Sequence, residues 1–442
     1  NSYLPISNLS FISKVTERII HSRLQEHLHG CNSLSDFQSA YKSGFSTETA
    51  LNCIQNDLLQ SIDKKQVSAL VLLDLSAAFD TIDHSILMDR LCFYFGIEGN
   101  VLQLLVSYLK DRFQVINIGQ TKSEPKRLAT GIPQGSVLGP LLFSLYITPL
   151  SQLLSLHGVK FHFYADDTQI YMSFSPSDSL PSLSRLSDIL NITKNWFQAN
   201  KLALNTSKTE YMIIGNKQQC NKLPDESKQL LFDAQIINRT EHARNLGVIF
   251  DSNLSYRQHI SNVCRSSFLN IRTVSRIRNL LDIETTKMLV CSLVTSRLDY
   301  CNSLLFGLPD CTINKLQLVQ NSIARLVVPG TKKFDHISPI LKELHWLPIR
   351  KRIDFKIAVL TYKSMASKSP EYLYQYLNLL PDSNRRSSGK KILSIPRISS
   401  ENGRRSFAYA SASVWNSLPV ALRLNPNLES FKKDLKTFLF PW

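Results

Sequence analysis

The stretch Phe161-His162-Phe163-Tyr164-Ala165-Asp166-Asp167-Thr168-Gln169-Ile170-Tyr171 constrains this chain more than any other. Aromatic, β-prone runs flank a polar centre, which reads as strand, tight turn, strand. Neighbouring side chains on a strand point to opposite faces, so Asp166 and Asp167 diverge at the tip. Adjacent carboxylates repel, and an apolar setting does not hold them bare without partners or a cation. A solvated Asp-Asp turn is the plain alternative. The flanks Phe163, Tyr164, Ile170 and Tyr171 read as a buried strand pair, and two acids at the tip of such a hairpin read as half of a divalent-metal site.

The other half is expected on a different strand. Ala69 to Leu73 is an apolar run of the kind that forms a buried strand, and Asp74 ends it. An acid there either caps a helix or binds a metal. Asp74 together with Asp166 and Asp167 would hold two hard cations among oxygen ligands. Such a pair activates an attacking hydroxyl and neutralises a leaving phosphate. That is polymerase chemistry. Between these strands Thr130 to Pro140 is punctuated by Gly131, Pro133, Gly135, Gly139 and Pro140. It is either a structural loop or a floor for the nucleotide and template base, where glycine such as Gly135 permits close backbone approach and Gln134 both donates and accepts.

The charge balance names the kind of partner. With 51 basic against 35 acidic residues the net charge is +16, which suits nucleic acid or, alternatively, an anionic membrane surface. No apolar run approaches the roughly 20 residues of a membrane span, and the first residues lack a charged-then-apolar leader, so a soluble, non-secreted chain with no membrane partner is expected. The eight cysteines are scattered without a Cys-x-x-Cys pair, as buried thiols of an intracellular protein would be. The chain opens on Asn1 rather than Met, as a fragment would. Arg265, Arg272 and Arg276 recur at spacings of seven and four on one helix face, opposite Phe268, Ile271, Val274 and Ile277. They form a solvated face or one that tracks a phosphate backbone.

Tyr164-Ala165-Asp166-Asp167, with Leu73-Asp74-Leu75-Ser76-Ala77-Ala78-Phe79-Asp80 and Gly131-Ile132-Pro133-Gln134-Gly135-Ser136-Val137-Leu138-Gly139-Pro140, resembles the reverse transcriptase of non-LTR (LINE-type) retrotransposons, most similar to the jockey and chicken-repeat lineages. The motifs stand in the family's order. The resemblance implies an α+β right-hand polymerase: fingers and palm over residues 1–250, a helical thumb over 251–330 and a mostly helical, basic carboxyl-terminal extension over 331–442. It implies RNA-templated DNA synthesis from a DNA primer and deoxynucleoside triphosphates, in the nucleus where target-primed synthesis occurs. In elements of this kind an endonuclease precedes the polymerase region, and these 442 residues are expected to lack it. Asp74 and Asp166 would bridge two Mg²⁺ ions, with Mn²⁺ as a substitute, Asp167 contributing less directly and the Leu75 carbonyl assisting.

Further roles follow from the same resemblance. Lys42 would reach the triphosphate, a solvated loop charge being the alternative. Phe79, five residues after Asp74, would block a sugar 2′-OH, where the residue alone reads equally as core. Lys208 would protonate the leaving pyrophosphate, with a surface lysine as rival. Leu246 and Gly247 lie in the hairpin that would grip the primer. Leu4 departs from the family, which carries a basic residue before Pro5. The tail, with Trp346, Arg404-Arg405, Phe407 and Trp415, reads either as an RNA- or DNA-binding surface or as helical core, and Arg385-Arg386 through Arg397 as a mobile linker. Two other functions compete. An RNA-templated RNA polymerase shares the palm, but the sugar-blocking role that the resemblance implies for Phe79 argues against it. A non-catalytic nucleic-acid-binding relic is opposed by the three intact acids.

Overall fold

The protein is described from a computed structural model covering residues 6–30, 34–332, 334–380 and 391–440. Leu4 and the pair Arg385-Arg386 fall outside these residues. In chain order the elements that matter are α1 (Phe11–Gly30), α2 (Thr47–Asp63), β1 (Val67–Leu73), α3 (His84–Asp89), α4 (Gly99–Leu109), α5 (Gly139–Leu156), β2 (Lys160–Tyr164), β3 (Asp167–Phe174), α6 (Ser179–Ala199), β4 (Glu210–Ile214), β5 (His242–Asn245), β6 (Val248–Asp251), α7 (Arg257–Ile277), α8 (Asp310–Val327), α9 (Ile349–Ser367) and α10 (Phe407–Ser417).

A four-stranded antiparallel sheet ordered β4-β1-β3-β2 forms the middle. Its central strand explains the unbroken apolar run in the sequence. Val67, Ala69, Val71 and Leu73 face a core shared with α5 and α6, whereas Leu70 faces a second core built from α2, the later helices and the carboxyl-terminal region. Buried on both faces, β1 has no polar side to show. At 18 residues, α5 is long and apolar enough to cross a membrane, contrary to the expectation that no run qualifies, yet it is mostly buried in the first core.

The run Ser46-Thr47-Glu48-Thr49 predicts a helix capped by Ser46 or Thr47, and the long helix α2 begins there, with Ser46 as its cap. Ser46 accepts from Thr49 N–H while the Thr49 hydroxyl accepts from Ser46 N–H, a reciprocal cap. Its polar residues then depart from expectation, because they bind segments 200 to 350 residues further on. Glu48 accepts from Ser303 and pairs with Lys356 at 3.2 Å. Gln55 meets Leu304 O and the Tyr256 hydroxyl. Asn56 accepts from Ala408 N–H, Asp57 from the Tyr376 hydroxyl, and Asp63 from Ser399 and Ser400. Thus the carboxyl-terminal region is fastened to α2. Trp415 and Trp346 are buried, as are Arg405 and Phe407, so the core reading of these tail residues is the one observed.

Other expectations need correction. The alternation over residues 112–119 predicts a strand, but they form only two-residue strands, Phe113–Gln114 and Asn117–Ile118, exposed on both faces for want of a covering layer. The periodicity of Ile12, Val15, Ile19, Ile20 and Leu24 predicts the helix α1, in which Leu24 is buried but Ile12 and Ile19 are exposed, and Glu17 is buried as well, accepting from Val137 and Leu138 N–H at the start of α5. On α7, Val274 is buried and Ile271 half-buried, but Phe268 and Ile277 are exposed. Arg265, Arg272 and Arg276 lie on its exposed face.

Candidate active site

The hairpin forms at the expected place. Tyr164 pairs with Asp167, leaving Ala165 and Asp166 as the two-residue turn, with Ala165 at φ +56°. Across the sheet Leu73 pairs with Thr168. One step further along both strands come Asp74 and Asp167, so the register alone carries the third acid to the hairpin tip. Asn205 N–H donates to Asp74 O at 2.9 Å, fixing the chain as it leaves β1, and Leu75 pairs with Leu204 just beyond.

The electrostatics follow from this convergence. Burial, then the neighbouring Asp74 charge, raises the Asp166 carboxyl above its ordinary value, against the opposing pull of Lys208. Burial, then Asp166 and Asp74, pushes Asp167 up to about 6 even though its side chain reaches solvent. Lys208 Nζ lies 3.0 Å from Asp74 Oδ2, so the expected proton donor and the expected first ligand are in contact. Hard oxygen donors crowded at one sheet end, with the proton affinity of Asp166 and Asp167 raised, fit a divalent cation chemically. Among the described residues no three His, Cys, Asp or Glu side chains already converge tightly enough to hold an ion. Closing these three on one ion therefore requires side-chain movement.

The remaining expected residues are distributed around this point. Phe79 stacks on Phe143 with centroids 4.8 Å apart and is half-buried, a braced ring rather than a free one. Gln134 donates its amide to both oxygens of Asp80 at 3.0 Å, so its nitrogen is committed to that carboxylate. Gly135 holds φ +93° with Ile6 3.3 Å from where a Cβ would sit, a position that favours glycine. Leu246 and Gly247 form the β5–β6 turn; the Tyr300 hydroxyl donates to Leu246 O at 2.7 Å, and the Tyr300 ring lies 3.3 Å from a Cβ on Gly247. Lys42 is the exception. Its ammonium donates to Ser35 O at 2.6 Å and sits over the Phe45 ring, and burial lowers its pKa to about 8. It is held by its own loop rather than presented to the three acids.

Sequence reading passed over two residues that touch this site. The Gln38 carboxamide bonds both backbone groups of Ala165 in the β2–β3 turn. Asn245 at the end of β5 donates to the Gln169 side chain on β3 at 3.4 Å, joining the two hairpins. Neither residue type carries chemistry that a spacing pattern would single out.

Residues 1–250 match the family model described as reverse transcriptase (RNA-dependent DNA polymerase). The chain is 27% identical over 346 residues to the probable RNA-directed DNA polymerase from transposon BS of Drosophila melanogaster, covering 74% of this chain and 36% of that protein. It is 25% identical over 337 residues to the RNA-directed DNA polymerase from mobile element jockey of the same organism, covering 74% and 36%. The chain thus spans about a third of these relatives' length. Apo telomerase from Candida tropicalis aligns over 96% of this chain and 59% of its own at 13% identity and a TM-score of 0.40.

Proposed function

Since the chain belongs to the reverse transcriptase (RNA-dependent DNA polymerase) family, we propose that it extends a DNA primer on an RNA template, with deoxynucleoside triphosphates as substrates. The observation that carries this reading is the meeting of Asp74, Asp166 and Asp167 at one end of the sheet, two of them with raised proton affinity and the third in contact with Lys208. Asp74, Asp166 and Asp167, with the Leu75 carbonyl, would hold two Mg²⁺ ions. When bound, such ions lower the proton affinity of the attacking 3′-OH and offset charge on the leaving phosphate.

The chain's own residues do the rest. Lys208 exchanges its carboxylate partner for the departing pyrophosphate and gives up a proton there. Phe79, braced by Phe143, walls off the sugar so that a 2′-OH meets the ring. Gly135 brings backbone to the nucleotide, and the Leu246–Gly247 turn, stiffened by Tyr300, seats the primer end. Arg265, Arg272 and Arg276 line the phosphate backbone from α7, giving affinity without sequence reading. In this scheme residues 1–250 are fingers and palm, 251–330 the thumb and 331–442 an extension braced on α2.

A titration tests it. Primer extension on an RNA template should require Mg²⁺ and vanish in Asp74→Ala, while template–primer binding survives both removal of the ion and the substitution. Extension that persists in Asp74→Ala would contradict the reading.

A further inference from the structure

β2 is an edge strand, and an open edge leaves a row of unpaired backbone groups. Phe37 to Ser39 covers it beside the catalytic turn. Phe163 N–H donates to Phe37 O at 2.8 Å and Ser39 N–H to Phe163 O at 3.0 Å. From between them Gln38, 3% exposed, reaches the turn itself. Its Oε1 accepts from Ala165 N–H at 3.1 Å and from Ala40 N–H at 3.0 Å, and its Nε2 donates to Ala165 O at 3.3 Å. Ala165 sits in the left-handed region that L-residues with a Cβ adopt reluctantly. A strained residue next to Asp166 is therefore grasped by both its backbone groups.

The clamp does not end at Gln38. Ser39 Oγ lies 2.7 Å from His162 Nε2 on β2 and 2.8 Å from the Tyr372 hydroxyl. Tyr372 OH donates to Thr49 Oγ1 at 3.0 Å, and Thr49 Oγ1 donates to Ser46 O at 2.9 Å. Those last two donors fix the direction of the whole chain. Tyr372 oxygen must accept from Ser39, so Ser39 must accept from an N–H on His162 Nε2. The imidazole, buried and with its pKa lowered to about 3, is neutral and supplies that single donor. The relay therefore runs in one direction from the catalytic hairpin to the start of α2, through a tyrosine of the carboxyl-terminal region.

We propose that Gln38 and Tyr372 are positioning residues that together set the placement of the Ala165–Asp166 turn, so that the carboxyl-terminal region controls the geometry of the acids on which the polymerase reading rests. Tyr372 lies outside the residues matched by the reverse transcriptase family model, and nothing in its sequence surroundings marks it as part of the site. Phenylalanine at 372 keeps the ring in its place among Phe37, Phe45 and His162 and removes only the hydroxyl.

Hydrogen exchange followed by mass spectrometry tests the clamp without requiring activity. In Tyr372→Phe and in Gln38→Met, exchange across residues 161–170 is expected to rise roughly three- to tenfold, as loss of a hydrogen bond predicts. Exchange across α6 should stay at the wild-type rate. In primer extension both variants should lose turnover while the KM for nucleotide and the affinity for template–primer hold. The double variant should lose less than the product of the single losses, since both act through one network. Unchanged exchange in the hairpin of a folded Tyr372→Phe protein overturns the proposal. So does exchange that rises evenly through the palm, or a hairpin that loosens with no change in turnover. If the wild-type chain extends no primer at all, the polymerase reading fails, and the exchange data alone still decide the clamp.

Discussion

Replacing Lys208 by alanine is expected to move turnover and metal affinity in opposite directions. The ammonium stands 3.0 Å from Asp74 Oδ2, with the two side chains 67% and 31% exposed. A cation that binds Asp74 competes with this ion pair. Exposed pairs of this kind are screened by solvent and are worth about 0.2–1 kcal/mol, so their removal should tighten apparent Mg²⁺ binding by about 1.4- to 5-fold. Raising salt should shrink that difference. Proton donation to the leaving group is another matter, since loss of a positioned general acid lowers turnover by about 10²- to 10⁴-fold. The assay is single-turnover primer extension across a Mg²⁺ series, comparing wild type with Lys208→Ala and Lys208→Arg. A Lys208→Ala enzyme with full turnover would mark the lysine as a surface charge. One whose turnover falls while its Mg²⁺ midpoint rises would show that Lys208 supports the metal site rather than competing with it.

Three further outcomes follow from the same structure. Phe79→Ala should admit ribonucleotides, narrowing deoxy-over-ribo discrimination in kcat/KM by about 10- to 200-fold, as removal of a steric wall in a pocket allows; unchanged discrimination refutes the gate. Replacing Arg265, Arg272 and Arg276 together with glutamine should flatten the slope of log affinity against log salt by about 2 to 3 for template–primer binding, and an unaltered slope removes α7 from the interface. Burial lowers His162 to about 3 and His259 to about 4 from 6.5, so below pH 6.5 the unfolded chain takes up protons that the folded chain refuses. The stability these neutral rings contribute is complete above pH 6.5 and is lost on acidification, by about 1.4 kcal/mol per pH unit for each. His162→Gln should reduce that slope in denaturant titrations between pH 6.5 and 4.5, and an unchanged slope contradicts its burial as the neutral form.

The local parts of this protein were legible in its sequence. The Asp166–Asp167 hairpin, the strand ending at Asp74, the Ser46 cap and the glycine-punctuated loop all depend on interactions within a few residues, which composition and period record directly. What escaped were pairings between distant segments. Glu48, Gln55, Asn56 and Asp57 look like the wet face of an amphipathic helix, because their partners Lys356, Leu304, Ala408 and Tyr376 stand hundreds of residues away. A buried polar group is recognisable only once its partner is known. The same blindness made Gln38 an ordinary loop residue and left Arg405 undecided between a nucleic-acid contact and the core, where its guanidinium is in fact buried and donates to Leu254 O. Residues 112–119 failed in the reverse sense. Their alternation was sound, but no layer exists there to reward it.

The most direct test of the central claim is primer extension on an RNA template, with deoxy- and then ribonucleotides, comparing wild type with Asp166→Asn. The account predicts Mg²⁺-dependent extension by wild type alone, with deoxynucleotides strongly preferred. A folded wild-type protein that binds template–primer yet adds no nucleotide would contradict it and leave a nucleic-acid-binding protein in a polymerase's shape.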